Sequence, residues 1–360
     1  MKNVLFIKIG ALGDLSYALP AAQAFKKAFP CHLTWVVGKS YQSFLAGHRY
    51  IDKLVALDDK KLYSKNWFSR ISELVKLVGG IRKRFDLVVI AHRDPLYYHV
   101  FNAFSRGATF QMVRGLSKDT TRFVEIPPLQ MHESLAIKKL IETAITYVDP
   151  EKENIAWEWD YSHIEPVKIA IPKSFIALHL GGGMNAKTEF QLKCWPHWES
   201  LVLRLLTETN KPLVFVGSTA EEVEYKKIEE KVKQSYPEKL ARCFNFMNNM
   251  PIRELVGVIQ ACDLFVGVDS GPLHIADSMN KPSIGLYGPT SPISWGLLSK
   301  TAALFQNEVF CSPCYKDDGI FPACHNEHRC MNLLEVEPVF LKITELLPKS
   351  EKNRLIHSPV

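Results

Sequence analysis

Short, nearly continuous apolar runs alternate with stretches of helical periodicity along the whole chain. In the first half the runs are Val4–Ile9, Leu33–Val37, Lys53–Leu57 and Leu87–Ala91; in the second they are Phe175–Leu180, Pro212–Val216, Leu264–Val268 and Ser283–Tyr287. Runs that are apolar throughout belong to strands covered on both faces. Strands separated by helical segments build βαβ units and parallel sheets. Periodicity fails around residues 150–172, where Asp149-Pro150, a Glu/Lys/Asn stretch, Pro166 and Pro172 follow one another. The pattern predicts an α/β chain of two Rossmann-like domains facing each other across a cleft, at residues 1–165 and 166–345, with a tail at 346–360. Ligands of such sheets sit at the carboxyl ends of the strands, so the turns there carry the functional information.

The first such turn is Gly10-Ala11-Leu12-Gly13-Asp14-Leu15-Ser16, leading into a helix expected from about Tyr17 to Phe29. Its glycines allow close backbone approach at a helix start, where free N–H groups favour anions. The dinucleotide fingerprint fails here. A third glycine is missing and no acid ends the second strand, which leaves a nicotinamide-dependent oxidoreductase without support. Asp14 either caps the helix or offers a carboxylate to the cleft. The second turn, Gly181-Gly182-Gly183, precedes Lys187 and Lys193-Cys194-Trp195-Pro196. It reads either as an anion-binding loop with lysines at its mouth or as a glycine loop with surface charges. In the third turn a buried strand ends in Asp269-Ser270-Gly271-Pro272-Leu273-His274. Asp269 and Ser270 are good capping types, and the same helix end suits a diphosphate. Gly288-Pro289-Thr290 follows one strand later.

These segments, taken in order together with Ala18-Leu19-Pro20-Ala21, resemble the lipopolysaccharide heptosyltransferases of glycosyltransferase family 9, along roughly residues 1–345. The resemblance implies a GT-B fold with an acceptor-binding first domain and a nucleotide-sugar-binding second one. It implies an inverting transfer of heptose from an ADP-activated donor to the lipopolysaccharide inner core, a lipid A–Kdo acceptor, with no metal required. By the same resemblance Asp14 is the general base and Lys193 the cation that stabilises the departing diphosphate. Gly181, Gly182, Gly183, Asp269, Ser270, Gly271, His274, Gly288 and Thr290 line the donor, with Glu221 or Glu222 on the ribose. Gly13, Ser16, Arg93 and Arg122 would meet the acceptor. Another nucleotide-sugar serving a different surface glycan is the alternative, because the Gly-rich loop before Lys193 is long. Bottom-up, the chemistry is coherent: displacing a nucleoside diphosphate needs a base on one side and stabilising charge on the other. A single carboxylate acting as base suits inversion.

Composition narrows the class further. The chain is 47% hydrophobic and 23% charged over 360 residues, enough for two cores. No run approaches the roughly 18 apolar residues of a membrane span, and the start lacks the features of a signal peptide. A cytoplasmic protein, monomeric and peripheral at the inner face of the inner membrane, is the expectation. The net charge of +6 lies in the first half: 23 Lys/Arg against 17 Asp/Glu in residues 1–166, and 21 against 21 thereafter. No nucleic-acid module accompanies it, whereas a phosphate-bearing acceptor or an anionic membrane would suit it. Arg93, Arg106, Arg114 and Arg122 fall in loops and strand ends that could meet such an acceptor. Trp67, Ile71, Leu74, Val78 and Ile81 form a helical apolar stripe flanked by Lys65, Arg70, Lys76 and Arg82-Lys83-Arg84. It is either a crossover helix packed on its sheet or a face for anionic lipid. Four of the eight cysteines, Cys311, Cys314, Cys324 and Cys330, cluster in a loop. They could hold a structural zinc, pair as disulfides under oxidising conditions, or stay reduced.

Overall fold

The computed structural model describes residues 1–62, 66–81, 83–113, 122–126, 130–152, 154–181, 192–247, 250–315 and 322–347. It divides into two compact units, Met1–His163 and Ile164–Val360. Lys65, Arg82, Arg114, Gly182, Gly183, Lys187 and nearly all of the 346–360 tail lie outside the described residues.

The first unit is built on strands β1 (Lys2–Ile7), β2 (Cys31–Gly38), β3 (Lys53–Leu57), β4 (Phe85–Ile90), β5 (Ser105–Val113) and β6 (Phe123–Glu125). They form one parallel sheet in the order β3-β2-β1-β4-β5-β6. In the second unit β7 (Ile176–His179), β8 (Leu213–Phe215), β9 (Cys243–Asn245), β10 (Leu264–Val268), β11 (Ser283–Tyr287) and β12 (Ala302–Gln306) form a second parallel sheet, in the order β12-β11-β10-β7-β8-β9. Both sheets have the doubly wound α/β organisation that the apolar runs predict. The central strands are fully buried, as Val4–Ile7 and Leu264–Val266 show, because helices cover both faces. Among the described residues no helix is long and apolar enough to cross a membrane.

Two local expectations are corrected. The helix expected from Tyr17 begins earlier, at Leu12, and is split into Leu12–Ala18 and Pro20–Ala28. Pro20 cannot donate an N–H to a continuing helix, so it opens a new one. Gly13, Asp14 and Ser16 are therefore helical. The predicted apolar stripe is also divided. Leu77 and Ile81 are buried and Leu74 packs against the same core, but Ile71 faces outward on the Trp67–Gly80 helix. The side chains of Trp67 and Val78 lie outside the described residues.

Candidate functional site

In the first unit polar groups gather where β1, β2 and β4 end, on adjacent strands. Asp14 lies in the first turn of the Leu12–Ala18 helix, whose N-cap is Ala11, so Asp14 is not the cap. Its carboxylate instead meets the buried ammonium of Lys8, Nζ to Oδ2 3.3 Å, and is about one-third exposed, at 35%. Lys8 also reaches Glu133 Oε1 at 3.4 Å, on the Glu133–Val148 helix. Glu133 in turn accepts both terminal nitrogens of Arg93, at 3.2 and 2.6 Å. Burial alone would raise the Glu133 carboxyl, but the Arg93 and Lys8 charges and hydrogen bonds outweigh it and hold the group at about 2. His92 accepts the Ile9 N–H at 2.9 Å. Burial, reinforced by Lys8, pushes it well below the ordinary histidine range, so it is a neutral acceptor. Gln111 fixes this turn by donating to the carbonyls of His92 and Asp94, both at 2.8 Å.

Gly10 has a steric reason. The Tyr41 ring packs on it, and a Cβ there would lie 2.7 Å from Tyr41 Cε2. Burial, with the charges of Asp59 and Asp14, raises the Tyr41 phenol.

The predicted acceptor residues fare unevenly. Gly13 and Ser16 are buried, and the Ser16 hydroxyl donates to the Gly13 carbonyl at 2.7 Å. Arg93 is committed to Glu133 and only 14% of its side chain is exposed. Arg122 is exposed at the start of β6. Arg106 sits at the amino-terminal end of β5, paired with Asp86 at 2.8 Å, on the sheet edge opposite Asp14.

The second unit places its polar turns on consecutive strands β11, β10, β7 and β8. Lys193 Nζ donates to Asp269 Oδ2 at 2.9 Å and to the Asp269 carbonyl at 3.2 Å. The other oxygen, Oδ1, shares a hydrogen bond with His274 Nε2 at 2.8 Å. Burial by itself would raise Asp269; the Lys193 charge and the His274 hydrogen bond overcome it and keep the group ionised far below the usual carboxylate range. Ser270 is the N-cap of the Gly271–Ser278 helix but makes no capping bond with its side chain. Its hydroxyl meets His179 Nδ1 at 3.2 Å. His179 Nε2 lies 3.7 Å from Glu221 Oε1, and burial lowers the imidazole despite that carboxylate. Capping therefore does not explain Asp269 or Ser270.

It does explain much of Glu221. That side chain is fully buried in a capping box, accepting the Ser218 N–H at 2.8 Å and the Ser218 hydroxyl. Its second oxygen is buried with no hydrogen-bond partner among the described residues. Glu222 pairs with Lys226 at 3.5 Å on the helix surface. Gly181 is buried at the end of β7.

The Thr290 side-chain oxygen is buried and has no hydrogen-bond partner among the described residues. Gly288 is a packing position: a Cβ would collide with Met331 Sδ and lie 3.1 Å from Cys330 Sγ. The cysteine segment wraps this turn. Pro289 O accepts the N–H groups of Cys314 and Tyr315, both at 3.0 Å. All four cysteines of the segment are free thiols, and no described group of three or more His, Cys, Asp or Glu is arranged to hold a metal.

Lys8, His92, Glu133 and His179 were not singled out by the motifs. The available signal was a lysine or histidine inside or just beyond an otherwise apolar strand run, as in Phe6-Ile7-Lys8-Ile9 and Ala177-Leu178-His179-Leu180.

Two doubly wound parallel sheets, each with charged groups at the carboxyl ends of its central strands, define the GT-B class of glycosyltransferase architecture. The chain belongs to glycosyltransferase family 9 (heptosyltransferase), whose profile matches residues 133–325. Lipopolysaccharide heptosyltransferase 1 of Pseudomonas aeruginosa is 23% identical over 98% of this chain and 97% of that protein. Lipooligosaccharide heptosyltransferase 2 of Haemophilus ducreyi is 33% identical over 66% of this chain and 70% of its own length. The fold matches E. coli heptosyltransferase WaaC with ADP-2-deoxy-2-fluoro heptose at a TM-score of 0.68 and 18% identity, covering 95% of this chain and 99% of that one.

Proposed function

We propose that this glycosyltransferase moves heptose from ADP-heptose to the inner core of lipopolysaccharide, with inversion and without a metal ion. The names of the two relatives support the acceptor class, and the ADP-sugar held by the E. coli neighbour supports the donor. The observation that carries the chemistry is the pairing of charges. Glu133 and Asp269 are buried in ion pairs, whereas Asp14 is the partly exposed carboxylate, tied by one lysine. In this reading residues 1–165 take the acceptor and 166–345 the donor.

Asp14 removes the proton from the attacking hydroxyl as the new glycosidic bond forms. The bond from the anomeric carbon to the diphosphate breaks, and Lys193 with the start of the Gly271–Ser278 helix takes up the developing charge. A cation on the protein serves the purpose a divalent metal would serve. Asp269, itself hydrogen-bonded to His274, holds Lys193 in place, while Ser270, His179, Thr290 and Glu221 are buried groups of the turns that would receive the sugar-nucleotide. The acceptor is lipid-linked, which puts the enzyme to work at the inner-membrane surface.

Calorimetry against ADP, UDP and GDP with a chelator present tests the donor. Selective ADP binding is expected; preference for UDP or GDP would replace the donor while keeping the fold. Asp14→Asn is expected to retain ADP binding and to lose transfer by roughly three orders of magnitude or more. Near-parental turnover would remove Asp14 from the role of base.

A further inference from the structure

The Trp67–Gly80 helix presents an apolar face outward. Phe68 is 65% exposed, Ile71 48% and Val75 63%. At 3.6 residues per turn these three fall within about 60° of arc. The opposite face carries the burial that the fold needs: Leu77 and Ile81 enter the core, and Glu73 turns inward to accept the Asp58 N–H at 3.0 Å. Phe68, Ile71 and Val75 are not among the described residues of the core cluster beneath the helix.

Its surroundings are strongly basic. Residues 60–84 contain eight Lys/Arg and a single acid, the inward Glu73. Lys60, Lys61, Lys76, Lys83 and Arg84 are exposed on this helix and its flanks, with Lys61 3.6 Å from Asp58 and Lys76 3.9 Å from Glu73. An apolar strip bordered by cations has the chemistry of an interfacial helix, in which side chains enter the acyl boundary while ammonium groups meet lipid phosphates. A second copy of the chain fits poorly, because a two-fold contact through this strip would set the two basic borders against each other.

We propose that the outer face of the Trp67–Gly80 helix, with Phe68, Ile71 and Val75 at its centre, docks the protein on an anionic phospholipid bilayer. The inference extends the proposed lipid-linked acceptor by naming the surface that meets its membrane. Its test reads no transfer.

The full chain is floated with vesicles of phosphatidylethanolamine and phosphatidylglycerol, and in parallel with vesicles of phosphatidylcholine alone. Binding is expected to need phosphatidylglycerol and to weaken in high salt. F68S/I71S/V75S is expected to lower partitioning by roughly tenfold or more, and K60E/K61E/K83E to do the same from the charged border. The second set alters only exposed polar positions, so it remains informative if the first disturbs folding. Absence of binding to the anionic vesicles, or binding that survives both sets, overturns the proposal. So does a dimer that F68S/I71S/V75S converts to monomer without any vesicle binding, since the face would then be a self-interface. Failure of the ADP calorimetry with intact vesicle binding would count against the proposed reaction and not against this surface.

Discussion

Lys8 shows how a residue outside every motif can organise a site. Its ammonium is 3% exposed and lies between Asp14 at 3.3 Å and Glu133 at 3.4 Å. Arg93 holds the far side of Glu133, so Lys8 cannot follow Glu133 away from the carboxylate it orients. Lys8→Met should leave Asp14 without this tether. The expected result is a fall in kcat of roughly tenfold to a hundredfold with little change in the KM for donor, because positioning the proposed base acts on the chemical step. Lys8→Arg should recover part of the loss. A matched rise in donor KM with kcat intact would assign Lys8 to binding instead. Asp14, Lys193 and Asp269 could be picked out in the sequence because glycines and prolines mark their turns. Lys8, His92, Glu133 and His179 could not, since their importance arises from partners distant in sequence: Glu133 is 125 residues from Lys8.

At the scale of elements, legibility followed burial. The apolar runs predicted β1 to β4, β7, β8, β10 and β11 to within a few residues, and Lys53–Leu57, Leu264–Val268 and Ser283–Tyr287 in full. The four strands without such runs are β5, β6, β9 and β12, and three of these stand at sheet edges. An edge strand is covered incompletely, so its sequence needs no continuous apolar stretch. Cys243–Asn245 and Ala302–Gln306 have no fully buried residue. β5 opens with the polar Ser105-Arg106-Gly107 before its buried half begins. Gly288 has a packing role that its sequence context does not show: Met331 and Cys330 leave no room for a Cβ. Gly288→Ala should therefore destabilise the second unit by about 1–3 kcal/mol through overpacking, measured by chemical denaturation. A stability change within a few tenths of that of the parent would show that the cysteine segment can move aside at little cost.

For the whole molecule the decisive variable is pH, because the fold buries histidines as neutral bases in both units. Burial, with the nearby His163, lowers His48 from 6.5 to about 4. His92 and His179 are displaced in the same direction. The unfolded chain binds these protons near 6.5, whereas the folded chain resists them until the pH is much lower. Their stabilising contribution is thus complete above about pH 6.5 and is lost progressively as the pH falls towards 4. The ion-paired carboxylates act later: Glu133 titrates at about 2, so its contribution persists across this window. His48 alone should cost about 2 kcal/mol between pH 7.5 and pH 5. Urea denaturation at successive pH values should show stability falling over this range, well before acid denaturation of the carboxylate network. His48→Gln cannot take up the proton. Its stability should start lower at neutral pH, where it loses packing against His163 and Tyr50, yet decline less steeply with acid. Parallel curves for His48→Gln and the parent would mean that His48 keeps its neutral form in neither state preferentially, and that the acid sensitivity of the first unit has another source.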